Sequence, residues 1–83
     1  MDLQATSGKS EWYRAGYESG RRFALAEADY DELAAIYRSN GIPDNWDIFR
    51  AEILNDHAAM PSYDFKAYIA GFGRACMDFF KAI

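Results

Sequence analysis

One cysteine, one histidine and two prolines are all that the 83 residues hold of these three types. A lone thiol, Cys76, closes no internal disulfide, so the fold asks for no oxidising compartment. A lone imidazole, His57, supplies no two-histidine metal motif, and no cysteine cluster stands beside it. No run approaches the roughly 18 apolar residues that span a membrane. The opening MDLQATSGKS lacks the apolar core of a signal peptide. The expectation is a cytoplasmic chain with no membrane role. Strand-like alternation is absent too, and without a strand there is no strand–loop–helix unit to carry a glycine-rich phosphate loop.

Aromatic side chains are plentiful: six Tyr, six Phe and two Trp. That is much ring surface for one small domain, so either the core is aromatic or some rings cover a partner. Charge is uneven. Residues 1–28 balance Lys9, Arg14, Arg21 and Arg22 against Asp2, Glu11, Glu18 and Glu27, net 0. Residues 29–60 set Arg38 and Arg50 against Asp29, Asp31, Glu32, Asp44, Asp47, Glu52 and Asp56, net −5. Residues 61–83 return to net +1, with Lys66, Arg74 and Lys81 against Asp64 and Asp78. An acidic middle repels phosphate backbones, which argues against direct nucleic-acid binding, and it attracts basic protein surfaces.

The spacing predicts an all-α, compact four-helix domain over residues 10–83, behind a polar, loosely held arm at 1–9. Ser10 caps a first helix running to Ala28, whose face holds Trp12, Tyr13, Gly16, Tyr17, Gly20, Phe23 and Ala24. Asp29 and Glu32 form a capping box for a second helix, 30–40, carrying Tyr30, Leu33, Ala34, Ile36 and Tyr37. Asn40-Gly41 gives a left-handed stop, and Ile42-Pro43 follows. A third helix is expected over 44–56, started by Asp44 and striped by Trp46, Phe49, Ile53 and Leu54. Pro61 closes the next connection, and Ser62 is expected to cap a fourth helix reaching Ile83. Its face is Phe65, Tyr68, Ile69, Phe72, Cys76, Phe79, Phe80 and Ile83, at three-and-four spacing.

The first and last helices echo each other at an offset of 55: Tyr13, Ala15, Gly16, Tyr17 and Gly20 align with Tyr68, Ala70, Gly71, Phe72 and Ala75. Small residues four apart let helix backbones approach closely. A crossing at Gly16, Gly20, Gly71 and Ala75 is therefore expected, within one chain or between two. The segments Arg14-Ala15-Gly16-Tyr17-x-x-Gly20 and Ala70-Gly71-Phe72-x-x-Ala75 resemble the helices of the ribosome modulation factor family. The resemblance covers these two stretches alone and implies a ribosome-associated role. It departs from that family in overall charge, acidic here and basic there, and no functional residue is transferred.

No catalytic set converges. His57 is expected to be a solvated residue at a helix end, and Cys76 a small core residue. Asp44, Asp47, Glu52 and Asp56 lack the order of a calcium loop and the Glu-x-x-His pattern of di-iron bundles. No metal or cofactor is expected. The acidic middle is either an ordinary solvated face that caps two helices or a docking surface. The docking reading places partner contacts at Asp31, Tyr37, Asp44, Trp46, Asp47, Glu52 and Asp56. It points to a non-enzymatic protein-binding modulator: a small acidic inhibitor that occupies a basic, nucleic-acid-binding surface, as phage anti-defence proteins do. One alternative is a ribosome- or RNA-associated factor with a basic face built from Lys9, Arg14, Arg21, Arg22, Lys66 and Arg74. The other is a structural homodimer.

Overall fold

A computed structural model describes residues 10–83; the arm expected at 1–9 lies outside the described residues. Four helices follow in order: α1 (Glu11–Ala26), α2 (Tyr30–Ser39), α3 (Asp47–Asp56) and α4 (Phe65–Ala82). The first two begin where their caps predict. Ser10 accepts from the Tyr13 amide at 3.1 Å. Asp29 and Glu32 exchange their bonds at 2.8 and 3.0 Å, so two free amides at the start of α2 are satisfied reciprocally. Asn40 ends α2 in the left-handed region, φ 58°, and hands the chain to Gly41 at φ 141°.

The other two helices start three residues later than expected. Asp44 does not start α3. The chain first makes a turn closed by the Trp46 amide on the Pro43 carbonyl, and Trp46 occupies the cap position without a side-chain bond. Ser62 does not cap α4. Tyr63 is held in a turn on Met60, its hydroxyl donates to the Ile53 carbonyl, and Asp64 caps instead by accepting from the Ala67 amide at 3.1 Å. In both places a proline turn and a packed ring override the nearest capping side chain. Leu54 also leaves its expected stripe and is 41% exposed, because Phe49 and Ile53 face the core and Leu54 does not share their side of α3.

The dominant contact is between α1 and α4, and it is intramolecular. A β-carbon placed on Gly16 would strike the Tyr68 carbonyl, and one on Gly71 would strike the Tyr13 carbonyl. One on Gly20 would strike the Phe72 backbone and the Ala75 side chain. These contacts are reciprocal under the sequence echo: Gly16 meets Tyr68, while their counterparts Gly71 and Tyr13 meet each other. The crossing therefore has a local pseudo-twofold relation, and both helices advance in the same sense along it, 16 with 68–71 and 20 with 72–75. Ala24 extends the small, buried row on α1 by one more turn.

Because the backbones touch, side-chain volume gathers on the flanks. On one flank α2 lays Leu33 and Ile36 into the core beside Cys76 and Ile42. The α2–α3 connection passes so close to α4 that a β-carbon on Gly73 would sit 3.0 Å from the Gly41 Cα. On the other flank, Phe23, Phe49 and Phe72 form a ring cluster with centroids 5.3 to 5.7 Å apart. Phe72 and Tyr68 are the rings buried in the core beside Ile53, and Phe23 and Phe49 are half-buried against it.

Gly16→Ala and Gly71→Ala should each lower stability. Overpacking typically costs about 1–3 kcal/mol, against a helix-propensity gain of at most about 1 kcal/mol. In a domain of this size each net kcal/mol lowers the melting midpoint by roughly 4–8 °C. Circular dichroism melts, with the exposed Glu18→Ala on the same helix as reference, test this; midpoints that rise in both glycine variants would contradict the crossing.

Candidate functional site

The residues expected to touch a partner fall into separate places. Asp31 lies exposed in the first turn of α2. Tyr37, 44% exposed, stacks on Phe80 at 5.2 Å and borders a cleft of about 320 Å³ with Asn40, Arg74, Met77, Asp78 and Lys81. Its neighbours there are two cations and one carboxylate, not the acidic middle. Asp44 is fully exposed and reaches Arg50 only at 3.9 Å. Trp46 sits edge-on to Phe49 at 5.6 Å, beside exposed Asp47 and Ile48.

Glu52 and Asp56, one turn apart on α3, are brought together at a cleft of about 260 Å³ between α1 and α3. The two helices meet mainly through rings, and Phe23, Phe49 and Phe72 line the cleft. Glu27 joins the two α3 carboxylates on its wall, as does Arg22. None of the three carboxylates forms an ion pair among the described residues; Arg22 instead donates to Ser19 Oγ at 3.2 Å. Sequence reading placed Glu52 and Asp56 on the docking surface but missed Glu27, Phe23 and Phe49. The one available signal was that the apolar face of α1 continues past its glycines to Phe23.

His57 is not a solvated helix-end residue. It follows α3, but its ring packs against Trp12, Tyr63 and Tyr68 with centroids 5.3, 5.3 and 4.8 Å away. Its Nδ1 is buried and has no hydrogen-bond partner among the described residues. The 57–64 connection folds back across the start of α1, which sequence spacing could not reveal. The ring cluster pins that connection, with Tyr68 donating to Ser19 Oγ at 2.7 Å.

Cys76 is fully buried, and its thiol faces the Gly20 carbonyl at 3.8 Å. Burial pushes the thiol up to about 12 from an ordinary value near 9. Tyr17 is also raised to about 12, first by burial and then by its 2.5 Å hydrogen bond to Asp78. Tyr63 reaches about 12 by burial, with Tyr68 and Asp56 adding to it. Asp78 also takes the Arg74 guanidinium at 3.0 Å, so it bridges α1 and α4. Among the described residues no group of three or more His, Cys, Asp or Glu side chains is arranged to hold a metal ion. No helix among them is long and apolar enough to cross a membrane. No protein-family model, curated protein or solved structure matches this chain.

The three raised groups set an alkaline limit. The unfolded chain releases these protons at lower pH than the folded chain, so folded stability is intact below about pH 9 and falls as pH rises toward 12. Urea midpoints measured from pH 8 to 11 should decline, and less so in Tyr17→Phe; a flat profile would contradict the assignment. At pH 8 a thiol-specific reagent should label Cys76 much more slowly in the folded than in the unfolded chain, because the thiol is fully buried and held protonated.

Proposed function

We propose that this domain is a non-enzymatic protein-binding module whose partner presents a basic surface. The observation that carries this reading is one side of α3: Glu52 and Asp56, one turn apart, are exposed and free of ion pairs among the described residues, and they border half-buried Phe23 and Phe49, with Ile48, 78% exposed, one turn before Glu52. Capping accounts for neither Glu52 nor Asp56, whereas Asp47 stands in the first turn of α3, where a carboxylate favours the helix dipole. Free carboxylates speed encounter with a basic surface, while desolvated apolar side chains slow dissociation. An acidic inhibitor that covers a nucleic-acid-binding surface, of the kind phages direct against host defence, fits this chemistry and size. That step rests on analogy of charge and shape.

The ribosome- or RNA-associated reading has less behind it. It needs a continuous basic face, yet Arg74 is tied to Asp78, and Arg14 and Arg21 alternate with Glu11 and Glu18 along α1. The homodimer reading draws on other exposed apolar side chains: Leu25, Tyr30 and Ile83 are each more than 60% exposed.

Capture with a tagged chain from its native host, followed by binding kinetics on the purified partner, tests the reading. Glu52→Lys with Asp56→Lys should slow association and flatten its dependence on salt, while Asp31→Lys on α2 should change it less. Surface reversals of this kind shift stability by only about 0.5 kcal/mol. A wild-type association rate for the double reversal across a salt series would leave the α3 carboxylates as plain solvated surface.

A further inference from the structure

The cleft between α1 and α3 brings aromatic rings and carboxylates together. Half-buried Phe23 and Phe49 and buried Phe72 line it together with Glu27, Glu52 and Asp56. An aromatic face attracts a cation through the ring quadrupole, and a carboxylate attracts it by charge. At about 260 Å³ the depression is smaller than sites for drug-sized molecules and matches a single long side chain. Arg22 borders the same cleft but turns to Ser19, and none of the three acids is in an ion pair among the described residues.

We propose that the α1–α3 cleft is a receptor for one arginine side chain of a protein partner, a proposal that rests on the protein-binding reading above and gives it a specific contact. The chemistry selects arginine over lysine. A guanidinium is planar, weakly hydrated and able to lie on a ring while its edge donates to a carboxylate in a fork; an ammonium is compact and holds its water. The chain already shows the ring contact within itself, where Arg50 lies 5.9 Å from the Phe65 ring centroid. A divalent cation is a poorer occupant, because the acids are not gathered into a ligating group. A second copy is also a poorer occupant. Of its arginines, Arg14, Arg21 and Arg22 alternate with acids along α1, Arg50 reaches Asp44 and the Ile42 carbonyl, and Arg74 is tied to Asp78, which leaves Arg38 as the exposed one in no ion pair among the described residues.

The test is an amide-resolved NMR titration of the full chain with N-acetyl-arginine amide, and in parallel with N-acetyl-citrulline amide, its neutral isostere. The expected result is a saturable, salt-sensitive set of shifts concentrated at Phe23, Glu27, Glu52 and Asp56, and absent with citrulline. Glu52→Gln with Asp56→Asn should weaken the arginine response by about tenfold or more, while Asp31→Asn leaves it intact. Shifts spread evenly over all acidic positions, equal shifts with citrulline, or an unchanged response in the double variant would each overturn the proposal. The broader reading fails separately. If the double variant binds a captured basic partner as wild type does, the arginine receptor is lost and protein binding stands. If the cleft takes arginine but the chain engages no protein, the receptor stands and the binding function does not.

Discussion

Direct contact between the backbones of α1 and α4 is the constraint from which the remaining architecture follows. Helix axes usually pack 8–10 Å apart because side chains hold them off. At Gly16, Gly20 and Gly71 no side chain is present to do so, and each glycine faces a backbone atom of the opposite helix. The two interior glycines of α1 are costly to a helix in isolation. That cost is offset by dispersion contacts along the seam, by the Tyr17–Asp78–Arg74 bridge beside it and by the small buried thiol of Cys76 against Gly20. The reciprocity of the contacts explains why the same aromatic-x-Ala-Gly-aromatic pattern stands in both helices: one local solution to close packing serves each side of a pseudo-twofold axis.

A seam made of small residues fills little volume, so the hydrophobic core must be assembled on its flanks. This explains the aromatic richness of the chain. Leu33, Ile36 and Ile42 are enough beneath α2, which lies close to α4. Beneath α3 the gap is wider and is spanned by Phe23, Phe49 and Phe72. At the start of α1, Trp12, His57, Tyr63 and Tyr68 do the same for the connection into α4. Rings that bridge helices without bringing their backbones together leave a depression between them. The α1–α3 cleft is the direct geometrical result, and the charge of its wall is what turns it into a candidate site.

Legibility varied with how local the controlling interaction is. The Ser10 cap, the Asp29–Glu32 box and the Asn40 stop were all readable because each is a contact between residues a few positions apart. The glycine crossing was readable because its pattern occurs twice. The start of α4 was misread for the opposite reason: Tyr63 is placed by the Ile53 carbonyl and by rings of α1 and α4, so Ser62 lost its capping role, whereas at α3 a local turn from Pro43 to Trp46 displaces Asp44. His57 was misread in the same way, since its ring neighbours come from α1, α4 and the loop between α3 and α4.

The sequence by itself determined four helices, their order, the small-residue rows that allow α1 and α4 to touch, and the concentration of negative charge between residues 29 and 60. Periodicity, capping and composition carry that information, and all of them are properties of short stretches. Only the tertiary structure decided which acids share a surface. It set Asp31 and Tyr37 apart on α2 and gave Tyr37 two cationic neighbours. It joined Glu52 and Asp56 to Glu27, the C-cap of α1, which the acidic middle does not include. The reason is geometric: charge is counted along the chain, but a site is made by side chains that converge in space, and here a seam of glycines decides how far apart the converging helices stand.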